Sequence, residues 1–278
     1  MIEMNEDSFE VCQIAECQPM IHINGNNVTL HEVVSAVLAV GGTAIGSSSS
    51  EEAKEITNLS DGLVLNIGTP DLDRKKAMLL SGQQANKKGI PVVLDPVGAG
   101  ASEFRKSILT ELLQNVHFAC IRGNNSELAA IYKIAFSTDD YVRSGGVEDA
   151  GSAILDEQMQ ELAARYNTVI ATSAAEDRIV SADNIYKCTG GTRMMRKITG
   201  AGCMQSGVIA AGLAAYWKNQ AASQRLAESD ASAIHTIMQR YKDDALRAYQ
   251  TMQRDNKFGI GSFLNDLLDQ LCTWSSDK

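Results

Sequence analysis

The sequence predicts an α/β fold, a mostly parallel central sheet with helices on both of its faces. Three observations carry that expectation. Short apolar runs rich in branched residues recur along the chain as far as Thr172, longer stretches with helical apolar spacing separate them, and polar or glycine residues bound each run. Continuously apolar short runs are what strands buried on both faces look like. Strands that alternate with helices build βαβ units around a parallel sheet.

The elements are expected in this order. Residues up to about Gln18, with Phe9, Cys12 and Ala15 three apart, predict a short amphipathic helix that Pro19 ends. Strands are predicted at 20–23, 63–67, 91–95, 117–121 and 168–172, and helices at 30–40, 71–88, 101–114, 126–132 and 152–166. Beyond Arg178 the pattern changes. Residues 178–181 and 184–188 read as a hairpin, the Gly190-Gly191 turn follows, and the remainder is helical over 202–217, 223–252 and 262–274, with a break expected near Asp230. No charged or Pro/Ser-rich linker divides the 278 residues, so one domain spanning 1–278 is expected.

Composition narrows the function. A net charge of -9 and a pI near 5.0 argue against a general nucleic-acid surface, because neutralising phosphates needs clustered Lys and Arg. Small-molecule partners are expected instead. The six cysteines, at 12, 17, 120, 188, 203 and 272, have no paired spacing that suggests zinc or a redox motif. The acidic residues 1–7 lack the features of a signal peptide, and no apolar run reaches membrane-spanning length. A cytoplasmic protein with reduced thiols is the expectation.

In an open α/β sheet, ligands sit beyond the carboxyl ends of the strands, and the chemistry-bearing segments fall on those loops. Gly200-Ala201-Gly202-Cys203 puts a glycine turn directly before a small-residue helix. The first N–H groups of such a helix favour an anion, and Cys203 brings a thiol to the same terminus. Close packing of the helix on the sheet would call for the same glycines.

Asp95-Pro96-Val97-Gly98-Ala99-Gly100 follows an apolar run. Asp95 there either holds Mg²⁺ through water or caps the turn and the helix near Ser102. Arg122-Gly123-Asn124-Asn125-Ser126-Glu127 repeats the arrangement after the next strand. Arg122 is placed to clamp phosphate oxygens, with Asn124 and Glu127 facing a metal's water shell. Asn/Ser followed by Glu is equally a helix-start signature. Thr172 and Ser173 close another strand where hydroxyls could meet a nucleotide phosphate, with Asp177 shaping the loop. Asn24-Gly25-Asn26-Asn27-Val28 offers amides to a polar heterocycle or forms a plain turn. His22 reads as a core or pocket-wall residue, and the other histidines show no metal spacing.

Taken together, these segments resemble the hydroxyethylthiazole kinases, the thiamine-salvage members of the ribokinase-like superfamily. The likeness runs in order through Pro19 to His22 with Asn26 and Val28, Leu65 to Thr69, Pro91 to Gly100, Ile121 to Asn124 with Ser126 and Glu127, Gly200 to Cys203, and Gly261 to Phe263. It implies a single-domain ribokinase-like layered fold. The implied reaction is ATP-dependent phosphorylation of the primary alcohol of 4-methyl-5-(2-hydroxyethyl)thiazole with Mg²⁺. The implied assembly is a homotrimer with thiazole sites between subunits.

Arg122 and Thr172 match the family's ATP-binding positions, with Asn124 placed beside them. Asn26, Val28 and Gly200 match its thiazole-binding positions, and Asp95 and Glu127 its acids around metal and phosphates. Cys203 stands where most ribokinase-like kinases carry an aspartate base and the thiazole kinases carry cysteine. Attack of the alcohol on the γ-phosphate is then helped by the amides from Gly200 to Gly202.

The acceptor end departs from the family. Gly46 stands where the family has a thiazole-contacting methionine, which implies a larger pocket or a wall formed by Ser47 to Ser50. Ile23-Asn24-Gly25-Asn26 replaces a Cys-Ile-Thr-Asn loop, and Thr172-Ser173 replaces a Thr-Gly pair. Three other readings therefore stay open. They are a kinase of another small alcohol, a nucleotide-dependent dehydratase that repairs hydrated nicotinamide cofactors, and a non-catalytic binder of nucleotide or thiamine precursors. The dehydratase would need an aspartate at position 203.

Overall fold

The computed structural model describes residues 9–136, 153–221 and 225–276. The acidic segment 1–8 and the helix starts predicted at Ser152 and Ser223 lie outside the described residues. Eight strands form one sheet: β1 (Met20–Asn24), β2 (Thr43–Gly46), β3 (Gly62–Asn66), β4 (Val92–Asp95), β5 (Cys120–Gly123), β6 (Val169–Thr172), β7 (Asp177–Val180) and β8 (Ile185–Cys188). Their spatial order is β2-β1-β3-β4-β5-β6-β7-β8. The pairs from β2 across to β6 are parallel, and β7 and β8 add an antiparallel edge.

Alternation along the strands feeds two cores. Ile21, Ile23, Val64, Val93, Cys120 and Val169 face one core, which α1 (Gln13–Cys17), α2 (Leu30–Ala39), α8 (Ala201–Lys218), α9 (Ala227–Arg254) and α10 (Ile260–Leu271) cover. Leu63, Leu65, Val92, Leu94, Ile121 and Ile170 face the other, under α4 (Leu72–Lys88), α5 (Glu103–Asn115), α6 (Asn125–Phe136) and α7 (Asp156–Tyr166). This is the layered α/β fold expected. Helix ends follow local chemistry: Asp71 accepts from the Arg74 amide at the start of α4, and Gly89 closes that helix at φ 75°.

α8 is buried from Ala201 to Tyr216 apart from Gly202. A helix buried nearly all round is apolar on nearly every face, here with Gln205 and Ser206 as polar exceptions, and its neighbours must come close. Its glycines permit that approach: a Cβ at Gly207 would sit 2.8 Å from Val33 of α2, and one at Gly212 2.3 Å from Ile237 of α9.

Several boundaries move. β5 begins at Cys120 rather than 117, because the His117 amide and carbonyl are taken by the Asn86 side chain before the strand can start. The opening helix shrinks to Gln13–Cys17, ended by Gln18 in the left-handed region before Pro19. α9 runs unbroken through Asp230, whose carboxylate accepts from Trp217 Nε1 at 2.8 Å and so needs no helix break. The strand β2 and the helix α3 (Ala53–Leu59) lie outside the predicted elements. β2 is a four-residue edge strand with half-open faces, so it lacks the apolar run of a central strand.

Candidate active site

Parallel pairing aligns the strand ends that carry the chemistry. Asn66 lies opposite Asp95 in the β3–β4 register, and Gly123 lies opposite Thr172 in β5–β6. The N-terminus of α8 faces this edge. Gly200 caps that helix at φ 83°, and a Cβ there would also strike Thr29 at 2.9 Å. Glycine is therefore required twice over at this position. At Gly202 a Cβ would come within 2.4 Å of Arg122 Nη1, so the guanidinium lies directly on the helix's first turn. Arg122 is buried, and its Nε donates to Gln205 Oε1 at 3.2 Å.

Asn66 joins the parts. Its Nδ2 donates to Asp95 Oδ2 at 2.7 Å and to Cys203 Sγ at 3.1 Å. Its Oδ1 accepts from Asn26 Nδ2 and from the Gly68 amide, each at 2.9 Å. The predicted residues Asp95, Arg122, Gly200, Gly202 and Cys203 thus meet in one corner with Asn26. Asn66 falls within the strand predicted at 63–67, and its hub position follows from pairing that a single sequence does not display.

The electrostatics are set by burial. Burial pushes Asp95 up from the usual carboxylate range, and the Arg122 charge and neighbouring hydrogen bonds offset part of that. Burial also raises Glu127, with the Asp95 charge adding to it. The Cys203 thiol is pushed up to about 12 by burial and then by Asp95. The helix terminus therefore does not make this thiol a thiolate near neutral pH.

Asp95 Oδ1 is buried without a hydrogen-bond partner. That single oxygen suits a hard cation which takes one or two carboxylates and keeps its waters. Glu127 is engaged otherwise: Oε1 accepts from the Gly98 amide and Oε2 from the Asn124 amide, both at 2.9 Å. Asn124 Oδ1 accepts in return from the Glu127 amide at 2.9 Å. The helix-start reading of this motif is thus realised as a reciprocal cap. Through Gly98, Glu127 also ties the loop after β4 to the one after β5. Among the described residues no group of three or more His, Cys, Asp or Glu side chains is placed to hold a metal.

The acceptor side differs more from expectation. Asn26 Oδ1 accepts from the Val28 and Thr29 amides, at 2.9 and 3.1 Å, and so closes a turn into α2. Its Nδ2 is spent on Asn66 and Cys203. Val28 remains open, 62% exposed. Beside Gly46, Leu30 Cδ1 would lie 2.9 Å from a Cβ, so the leucine packs directly against that glycine. His22 is a fully buried core residue, with ring nitrogens 2.9 Å from Thr57 Oγ1 and 3.0 Å from the Ser47 carbonyl.

On the other flank, Thr172 Oγ1 accepts from the Arg178 amide at 2.8 Å, and the Ser173 amide donates to the Gly123 carbonyl at 3.0 Å. Asp177 Oδ1 accepts from the Ala174 amide at 2.7 Å and so closes the loop. Arg105 binds the Val97 carbonyl at 2.7 Å and the Gly68 carbonyl at 2.6 Å, fastening the loops after β3 and β4. Nothing in the local pattern around Arg105 announces those partners, which lie on loops 8 and 37 residues away. Among the described residues no helix is long and apolar enough to cross a membrane.

Comparison with known proteins points to one family. The model of the hydroxyethylthiazole kinase family matches residues 11–277. A hydroxyethylthiazole kinase from Alkaliphilus metalliredigens is 37% identical over 216 residues, 77% of this chain and 77% of its own. The solved hydroxyethylthiazole kinase structure from Pyrococcus horikoshii superposes with a TM-score of 0.78 at 25% identity, covering 94% of this chain and 91% of that one. A ribokinase-like superfamily protein from Enterococcus faecalis shares the fold, with a TM-score of 0.57 at 15% identity over 98% and 92% of the two chains.

Proposed function

This chain belongs to the hydroxyethylthiazole kinase family, and we propose that it transfers the γ-phosphoryl group of ATP to the primary alcohol of 4-methyl-5-(2-hydroxyethyl)thiazole, in thiamine salvage. The observation that carries the reading is the convergence of Asp95, Arg122, Asn66 and Cys203 on the N-terminus of α8.

Arg122 and the first amides of α8 present positive charge to the transferring phosphoryl group. The alcohol oxygen attacks phosphorus, the bond to the β-phosphate oxygen breaks, and ADP leaves. In a loose transition state the alcohol's proton moves late, to an oxygen of the transferred phosphoryl group and then to solvent, so a protonated Cys203 can line the site without acting as base. Asp95, with its unpartnered Oδ1, would hold Mg²⁺, and Glu127 would reach it through water. When bound, the ion neutralises phosphate charge.

Thr172, at the end of β6, and Asn124, in the turn after β5, stand where the nucleotide would sit, and Gly200, Val28, Asn26 and Gly46 would border the acceptor. Leu30 takes over the wall beside Gly46. A homotrimer with sites between subunits fits the exposure of Val28, since a neighbouring subunit would cover it. A cytoplasmic location fits six cysteines without disulfides.

The test is ADP formation with thiazole, pyrimidine and pyridoxal alcohols, with Cys203→Ala and Asp95→Asn as controls. Thiazole-dependent, Mg²⁺-dependent turnover that falls more than about 10²-fold in Asp95→Asn is expected. Intact Mg-ATP binding with no turnover on any alcohol would overturn the kinase reading in favour of a binder. Sedimentation equilibrium of the active protein checks the trimer.

A further inference from the structure

Lys242 lies in the middle of α9, is 3% exposed, and has a role that the phosphoryl corner does not explain. Its Nζ is surrounded by oxygens from two separate stretches of chain. Asp177 Oδ1 lies at 3.2 Å, the Ala175 carbonyl at 3.1 Å and the Cys188 carbonyl at 3.5 Å. Ala175 lies in the loop after β6 and Asp177 opens β7 directly after that loop, while Cys188 ends β8 just before the Gly190-Gly191 turn. At Gly191, φ is +74° and a Cβ would stand 3.3 Å from Lys242 Cε, so the chain folds directly over the lysine. Gln239, one turn earlier on α9, exchanges hydrogen bonds at 3.1 Å with the amide and carbonyl of Thr189.

Stability alone does not account for this ion pair. Taking both charges out of water offsets most of their attraction, and apolar replacements of similar volume are often neutral or stabilising. What the ammonium does achieve is geometric. Asp177 shapes the loop 173–177 through the Ala174 amide, and that loop also rests on the Gly123 carbonyl, next to Arg122. One buried cation therefore sets the loop after β6, and the turn after β8, against α9.

We propose that Lys242 is a positioning residue for the nucleotide, acting through the loop 173–177 and the Gly190-Gly191 turn. The proposal rests on the reading that the loop after β6 holds ATP. Loss of the ammonium then loosens nucleotide binding and leaves the thiol corner and the acceptor side in place.

The experiment uses the full chain with Lys242→Met, Lys242→Ala, Lys242→Arg and Asp177→Asn. Steady-state kinetics and calorimetric binding of ADP are read together with melting temperature. In the folded Met, Ala and Asn variants, KM for ATP and Kd for ADP are expected to rise at least tenfold, with kcat within threefold and acceptor KM unchanged. Lys242→Arg, which keeps the charge, recovers most of the affinity. Millimolar methylammonium tightens ADP binding to Lys242→Ala, whose truncated side chain leaves room for it. It does not do so for Lys242→Met, where the thioether fills that room.

ADP affinity within twofold of wild type in the folded variants overturns the proposal. So does a parallel rise in both KM values, which marks general loosening. If the Lys242 variants fail to fold, Asp177→Asn with unaltered ADP affinity overturns it alone. A wild-type chain that binds no nucleotide overturns the underlying reading as well, and so the two failures are told apart.

Discussion

Cys203 shows how burial decides a residue's chemistry. A glycine turn into a helix favours a thiolate, but desolvation and the Asp95 charge raise this thiol to about 12. A group with a raised pKa keeps its proton below that value, so across pH 6–9 the thiol stays neutral. The pH profile of kcat is therefore expected to carry no limb from Cys203, and Cys203→Ala to lose less than about 10²-fold, below the usual contribution of a general base. A loss near 10⁴-fold, together with a limb that disappears in the variant, would instead make the thiol the base. Asn66 makes a second prediction at this scale. Asn66→Ala strips partners from Asp95, Cys203 and Asn26 at once, and each buried group left unsatisfied costs about 1–3 kcal/mol. Thermal melting and turnover are both expected to fall, and an unchanged melting temperature would show that these bonds are replaced by water. Asp95, Arg122 and Cys203 could be read from the chain because they sit at the ends of apolar runs or at a glycine turn. Asn66 and Lys242 could not, since their partners lie up to 137 residues away.

At the level of elements, the close approach of α8 and α2 to the sheet fixes what the site tolerates. Gly202→Ala forces Arg122 Nη1 away from a Cβ that would sit at 2.4 Å. KM for ATP is expected to rise and kcat to fall, together more than tenfold in kcat/KM, with the fold retained because the clash is with the end of a flexible side chain. Leu30 governs the opposite side. Leu30→Ala opens the space beside Gly46, so acceptor KM is expected to change severalfold with ATP KM unaltered, and Gly46→Met becomes tolerable only in that background. Steady-state kinetics on both substrates check each outcome, and equal effects on the two substrates would refute them. The order of helices and central strands was legible because buried parallel strands are continuous apolar runs. β2 and α3 were not, because an edge strand has half-open faces and a seven-residue helix offers too few turns of pattern. The start of β5 was misplaced for a different reason, since the Asn86 side chain competes for the His117 backbone.

For the molecule as a whole, stability should depend on pH through acids that the fold buries. Asp230 is the sharpest case, because burial raises it from 3.8 to about 7 although Trp217 and Arg225 pull the other way. Between those two values the folded chain holds a proton that the unfolded chain has released. Stability therefore falls as pH rises through that window and levels off above about 7. Asp95, Glu127 and Asp244 are also shifted upward, so the wild-type curve sums several slopes and only a difference curve isolates one. Asp230→Asn keeps an acceptor for Trp217 Nε1 while removing the charge. Its melting temperature is expected to match wild type near pH 4 and exceed it at pH 8, by roughly 2–4 °C for each kcal/mol of desolvation relieved. Asp230 lies on α9 at the far end of α8 from Cys203, bonded to Trp217. Turnover at pH 8 should accordingly stay unchanged while the melting temperature rises. A difference curve that is flat from pH 4 to 8 would mean that Asp230 keeps its charge inside the fold, with Arg225 compensating it.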